Sequence, residues 1–451
     1  MYYRLRNSGA ESALTEVSRF QALEQVVPWN TVTEVLQLHD CQQRRVRKWS
    51  MGLIVYLLIA MNLFAQERLA LVLGRLLLTF RWLCADTAET TPNDAAIVYR
   101  RKQLGVAPMV ALFHRICRPL ATEQTPGAFL CGLRLMAMDG KQFLLYDAPQ
   151  IDHYFGRPRS SRGQAAFPQA RLVSLVEVGT HAYVDAGVWP LSVHERDGAK
   201  RLIRSVTSDM LVMVDRGLYS IALVRQVRER GAHVLFRLPS HVKPTYLKRL
   251  LDGSWLVRIT GDPQVYRLIR YTLPDPNNPG KGQTYRLLST LLDPLTAPAQ
   301  ELAVAYHERW GIEAVYDETE THLLGGRDPR RSRTVTGVLQ EIYALLLAHY
   351  CVRAVMYDAA RLADVAPDRL SFTAAVVILQ ETIPLFQMVA PEWRPVLYER
   401  MLQDIAAYPV QQRTPRSYPR AVKRKMSNFP LKSAKQHGRS CLPYRRAVRL
   451  I

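Results

Sequence analysis

The chain has 451 residues, 48% of them hydrophobic and 22% charged, with a formal net charge of +21. That much apolar material supplies cores for two or three domains and excludes a wholly disordered chain. The excess of 60 Lys and Arg over 39 Asp and Glu points to a polyanionic partner, nucleic acid or an anionic membrane surface, and is silent on fold.

The longest apolar run, 52–65, is fourteen residues. A bilayer-spanning helix needs about 20, so the run reads as a buried helix and no membrane partner is expected. The N-terminus lacks an apolar stretch with a cleavage site, so secretion is not expected. The six cysteines, Cys41, Cys84, Cys117, Cys131, Cys351 and Cys441, form no CxxC pair, and His114 with Cys117 lacks a second pair of ligands. Neither a disulfide framework nor a zinc site follows, and a reducing cytoplasm fits.

Residues 1–125 read as helical. Apolar spacing predicts a helix over 66–84, a break at Thr90-Thr91-Pro92-Asn93, and a second helix from Asp94 to Leu104. The second helix carries Arg100, Arg101 and Lys102, so the two could form a DNA-reading pair, although three adjacent basic residues are more often a solvated face. After Thr125-Pro126-Gly127 the pattern changes. Strands are predicted at 133–138, 142–146, 170–178 and 181–188, with Asp139-Gly140-Lys141 as a turn between the first two. A helix at 196–206, a buried strand at 210–214, a helix at 221–230 and a strand at 233–237 follow, which makes a mixed α/β sheet. Short alternating pieces at 255–260, 265–271 and 284–290 suggest an all-β insertion, and helices return at 297–324, 335–362 and 371–389. The last 41 residues hold twelve Lys or Arg and no acid, the composition of an extended basic arm.

Two carboxylates end candidate strands: Asp139, and Asp215 after the buried strand. Strand C-termini are where α/β sheets build sites, although singly each Asp reads more simply as the start of a turn. Tyr306, Arg309 and Glu313 share one helical face by spacing. As an exposed Arg309–Glu313 pair this would be worth only about 0.3–0.5 kcal/mol. The same three side chains could instead serve a phosphate: Arg clamps its oxygens, Tyr donates to it, and Glu reaches a metal. Two Asp and one Glu on separate elements suit a pair of Mg²⁺ ions, with Mn²⁺ as the alternative, clamping an in-line phosphoryl transfer.

These residues resemble the bacterial insertion-element-four family of transposases over most of the chain. The resemblance rests on Met138-Asp139-Gly140, Phe155-Gly156-Arg157-Pro158 and Val214-Asp215-Arg216-Gly217-Leu218-Tyr219. It also rests on a Tyr-Arg-Glu-Lys signature read at Tyr306, Arg309 and Glu313, continued by Tyr316-Asp317-Glu318. The ending Lys423-Arg424-Lys425-Met426-Ser427-Asn428-Phe429-Pro430 is similar to the basic tail of one branch. One position departs: Glu320 stands where the family has Lys, and an acid there would repel phosphate and raise neighbouring carboxylate pKa values. Arg327, Arg330, Arg331 and Arg333 follow closely as compensating cations.

The resemblance implies a ribonuclease-H-like α/β core with Asp139, Asp215 and Glu313 as catalytic metal ligands. It implies a helical DNA-binding domain over 1–125, core segments at 126–237 and 297–390, a β insertion at 238–296 and a basic tail at 391–451. Such a core has three strands before its first helix, so 142–146 must continue the first strand. Tyr306, Arg309, Arg100, Arg101, Lys102, Lys423, Arg424 and Lys425 are the candidate DNA and phosphate contacts. Trp255 is the candidate for stacking on a flipped base, although a core Trp is the commoner case. The implied activity is nicking of duplex DNA at terminal inverted repeats, a hairpin intermediate, and joining to target DNA. It is carried out by a homodimer in a synaptic complex, in the cytoplasm at the nucleoid. Two other readings remain at this level. One is a catalytically impaired DNA-binding relative, with Glu320 as the lesion. The other is a glycoside or phosphate-ester hydrolase with paired acids, for which the basic charge has no use.

Overall fold

The structure is a computed structural model that describes residues 21–41, 50–67, 71–72, 94–160, 163–275, 278–326, 329–410 and 449–450. Its longer strands are β1 (Leu133–Leu144), β2 (Gln169–Glu177), β3 (Tyr183–Trp189), β4 (Met210–Val214), β5 (His233–Arg237), β6 (Pro244–Arg249), β7 (Trp255–Ile259), β8 (Val265–Asp275) and β9 (Asn278–Ser289). The main helices are α1 (Trp29–Leu38), α2 (Met51–Leu63), α3 (Asp94–Leu104), α4 (Ala107–Ile116), α5 (Pro149–Phe155) and α6 (Glu195–Arg201). They continue with α7 (Ile221–Glu229), α8 (Ala299–Glu308), α9 (Gly311–Asp317), α10 (Val335–Leu362), α11 (Phe372–Met388) and α12 (Arg394–Ala406). The fold is mixed α/β, with a central sheet and helices before and after it. The chain divides into two compact units.

The first unit comprises Met1–Thr122, Gly140–His194 and Glu313–Val410. Its core is helical. In α2 every residue but Met61 is buried, and Ser50 caps the helix by accepting from the Leu53 N–H at 3.2 Å. Such a helix has no polar face because neighbours surround it. Gly52 is what lets α1 approach: a Cβ there would lie 2.5 Å from Trp29 Cη2. The 28-residue α10 is long and apolar enough to cross a bilayer by length and composition, yet 78% of its most apolar window is buried within the protein. Leu345, Leu346 and Leu347 are all at 0% exposure, each contributing about 1.5–3 kcal/mol of burial. Strands β2 and β3 pair antiparallel, from Arg171↔Trp189 to Val176↔Tyr183.

Within this unit the Phe155-Gly156-Arg157-Pro158 segment has a structural explanation. Gly156 leaves α5 at φ +80, a conformation that favours glycine. The turn lets Arg157 reach back to Asp152 at 3.0 Å and to Asp147.

The second unit comprises Glu123–Asp139, Glu195–Ile312 and Gln411–Ile451. Strand β4 is buried at every residue and pairs parallel on both sides. Arg134 to Met138 of β1 match Met210 to Val214, and Leu211 to Val214 match His233 to Phe236 of β5. Helix α7 makes the crossover between β4 and β5. Beyond β5 the pairing becomes antiparallel, running β5, β9, β8, β7 and β6. Arg267, at 0% exposure, holds this part together by donating to Ser254 Oγ at 2.8 Å and Asp293 O at 3.2 Å and by pairing with Asp252.

Three sequence expectations are corrected. The turn at Asp139-Gly140-Lys141 is absent: β1 runs unbroken from Leu133 to Leu144. An Asp-Gly hairpin turn needs positive φ at its centre, and Gly140 is not among the positive-φ glycines. The insertion has a strand, β6, that alternation did not reveal, because its residues are largely exposed on both faces. The helix expected over 297–324 is three pieces: α8, then α9, then a π-helical stretch Glu318–Leu323. Gly311 weakens the helix interior by about 1 kcal/mol relative to Ala, and the break falls just before it. Most of the helix expected over 66–84, and with it the proposed pair with α3, lies outside the described residues.

Candidate active site

The site begins with strand register. Met138 of β1 is paired with Val214 of β4 in a parallel ladder, so the next residues stand side by side: Asp139 within β1, which continues to Leu144, and Asp215 just past the end of β4. Neighbouring strands lie about 4.8 Å apart. The Asp215 carbonyl accepts from the Leu218 N–H at 3.1 Å, turning the chain sharply outward after the strand.

Helix α8 braces this pair. The Tyr306 hydroxyl donates to the carbonyl of Val214, the residue before Asp215, at 3.3 Å. Burial pushes its phenol well up, and Asp215 adds to the rise. Arg309 is 4% exposed, and its Nη1 lies 3.2 Å from Asp139 Oδ2. A buried guanidinium needs an anion, and Asp139 supplies it. His307 sits between them in sequence. Burial, then the cations Arg237 and Arg309, holds its imidazole down at about 3, so it stays neutral. Its Nε2 lies 3.0 Å from the Tyr271 hydroxyl.

Just past Asp215 a cleft of about 710 Å³ is lined by Arg196, Arg216, Tyr219, Ser220 and His241. Ser220 precedes α7 without capping it, so the open helix terminus adds to the positive charge of the walls. This cleft was not legible from sequence, where its lining residues are scattered from Arg196 to His241.

In the first unit, Glu313 is exposed in the first turn of α9. Glu320 is 6% exposed, and its Oε2 lies 2.8 Å from Lys141 Nζ. The acid at the departing signature position is therefore a neutralised half of an ion pair. Lys141 carried no sequence-level signal beyond standing two residues after Asp139.

The other sequence candidates fall as follows. Arg101 is committed within its own unit, donating to Ser332 Oγ at 3.0 Å and Gly337 O at 3.1 Å, while Arg100 bonds Gln103 and Lys102 is exposed. Trp255 is half-buried rather than a core residue. Tyr246 stands edge-on to it at 5.2 Å and Arg249 lies over its ring at 5.8 Å. Arg331 pairs with backbone carbonyls of 65–67, and Arg333 lies over the Tyr146 ring at 4.7 Å. Arg327, Lys423, Arg424 and Lys425 lie outside the described residues.

Carboxylate oxygens on neighbouring strands are the donor chemistry of a hard divalent cation. Among the described residues, no three or more His, Cys, Asp or Glu side chains stand together as ready-made ligands. Asp139 is turned to Arg309 instead.

The sequence matches known proteins along its length. Residues 17–114 match the model described as the insertion element 4 transposase N-terminal, and residues 132–351 match the transposase DDE domain. The chain is 26% identical to the transposase InsG for insertion sequence element IS4 of Escherichia coli (strain K12) over 398 residues, 86% of this chain and 88% of the relative. The cryo-EM structure of the piggyBac transposase synaptic complex with hairpin DNA aligns with 87% of this chain and 85% of its own, at 12% identity and a TM-score of 0.44. The protein is a transposase of the DDE class. Within that class it belongs to the insertion element 4 (IS4) family, the transposases of insertion sequences.

Proposed function

We propose that this transposase binds the terminal inverted repeats of its element and cuts and rejoins DNA on a divalent-metal site formed by Asp139, Asp215 and Glu313, in a ribonuclease-H-like core. The observation that carries the reading is the Met138↔Val214 pairing, which sets Asp139 of β1 beside Asp215 at the end of β4. The parallel β1–β4–β5 core and the antiparallel β2–β3 pair are strand arrangements suited to that fold.

Asp139, Asp215 and Glu313 are the residues that would hold two Mg²⁺ ions, or Mn²⁺, which when bound would supply an activated water and offset charge developing on the phosphate. The chain's own groups do the rest. Arg309 holds Asp139 until a competing cation or phosphate takes over one partner. Tyr306 fixes the strand end that presents Asp215. Arg196 and Arg216 attract backbone phosphates, and the net charge of +21 extends that attraction over the surface. Water oxygen attacks phosphorus and the strand's 3′ oxygen leaves as a hydroxyl. That hydroxyl attacks a phosphodiester of the opposite strand, forming a hairpin and releasing the flanking strand's 3′-hydroxyl; water reopens the hairpin, and the regenerated 3′-hydroxyl attacks a target phosphodiester, displacing the target's own 3′ oxygen as a hydroxyl. Both element ends must be held together, which calls for a homodimer. Its substrate places the work at the nucleoid, in the cytoplasm.

The test is cleavage of duplex DNA carrying the element ends by wild type and by Asp139→Asn, Asp215→Asn and Glu313→Gln. Each variant should bind the DNA and fail to cut it. An Asp215→Asn protein that still cuts refutes the assignment.

A further inference from the structure

A buried carboxylate at a position that faces nucleic acid is a liability unless a cation accompanies it. Glu320 has that cation in Lys141, at 2.8 Å, and the two side chains are 8% and 23% exposed respectively. Lys141 is further fixed by the Tyr316 ring, whose centroid lies 5.9 Å from Nζ. The ring is pinned in turn, its hydroxyl 2.9 Å from Ser174 Oγ. An ammonium carries three N–H donors, and one is directed at Glu320. The partial exposure of Lys141 opens the same group to solvent. Alternation along β1 sends Lys141 to the same side of the strand as Asp139, two residues earlier. Glu313, Tyr316 and Glu320 follow one another along the helical segment that Lys141 packs against.

We propose that Lys141 is a DNA-phosphate contact of this transposase and that Glu320 is its positioning residue, a reading that rests on the DNA-cutting function above. The pair inverts the polarity expected from sequence. The cation stands on the strand, and the acid on the helix holds it in place. Glu320 is then an oriented support for a positive charge and not a lesion.

The experiment measures the dependence of DNA affinity on salt, using the full chain and a duplex carrying the terminal repeat read from the DNA flanking the gene. Lys141→Met combined with Glu320→Gln removes both charges of the pair together, and thermal unfolding checks that the fold is retained. Each phosphate contact contributes about 0.9 to the slope of log affinity against log salt. The double variant should lose about that much, and Lys141→Arg should keep it. Glu320→Gln alone should keep the slope and lower the rate of strand cutting, because the cation is present but unheld. A double variant with the wild-type slope overturns the assignment and reduces the pair to a structural contact. If wild type binds and cuts DNA while that slope is unchanged, only the Lys141 assignment falls. If wild type neither binds nor cuts, the DNA-cutting function falls as well.

Discussion

His307 offers a sharp test of the packing around Arg309. Its imidazole is 3% exposed and flanked by Tyr271, Tyr285, Tyr306 and Trp310, with Arg237 and Arg309 as the nearby cations. Those surroundings lower its pKa from 6.5 to about 3. Above pH 6.5 the folded and unfolded states are both neutral at this group, so its contribution to stability does not vary. As pH falls below 6.5 the unfolded chain takes up a proton that the fold refuses. Stability therefore drops by about 1.4 kcal/mol per pH unit until the folded pKa is reached. Between pH 7 and pH 5 the loss is about 2 kcal/mol. Urea unfolding of wild type and His307→Gln at both pH values isolates it, since glutamine can still bond Tyr271 but does not titrate. The variant should lose about 2 kcal/mol less on acidification. Equal acid sensitivity in the two proteins would refute a neutral, cation-flanked imidazole.

Other consequences follow from the same structure. Glu318 is buried against Arg353, His181 and His349, and after the opposing cost of burial Arg353 is the chief reason its carboxyl lies well below the usual range. Arg353→Met should therefore cost about 3–5 kcal/mol in urea unfolding, with partial recovery on adding Glu318→Gln. Because that carboxyl is depressed, its stabilisation is present above about pH 4.5 and is lost as pH falls further, and Glu318→Gln should flatten the acid limb of stability. Gly52→Ala forces a contact with Trp29 and should destabilise by about 1–3 kcal/mol, read as a lower melting temperature. If Lys423, Arg424 and Lys425 each contact a phosphate, replacing all three with alanine should reduce the salt slope of DNA binding by about 2.7. Arg101→Ala should lower stability while leaving that slope unchanged.

The elements easiest to read were those with strong local signals. The β4, β5 and α10 boundaries coincide with the runs read from sequence, because burial on one or all sides writes an apolar pattern, while the mostly exposed α3 is bounded by the Thr-Pro-Asn break before it and Gly105 after it. Exposed β6 has no such pattern, and the break between α8 and α9 falls just before Gly311, inside a run whose helical spacing continues across it. Asp-Gly is equally compatible with a turn and with extended chain, so residues 139–141 were open until pairing on either side of them was known. Asp139, Asp215 and Glu313 were recognisable through motif spacing, but their surroundings were not. That Arg309 holds Asp139 reverses the simpler expectation of an exposed Arg309–Glu313 pair.

The sequence by itself determined the class of protein and its basic character and singled out the three acids as candidates, since composition and motif spacing are properties of the chain order. Tertiary structure alone decided the partners of the charges. Lys141 meets Glu320 across 179 positions and Arg309 meets Asp139 across 170. Side chains so far apart are brought together only by strand pairing and helix packing, and the Coulomb energy that sets their roles depends on that final distance and burial.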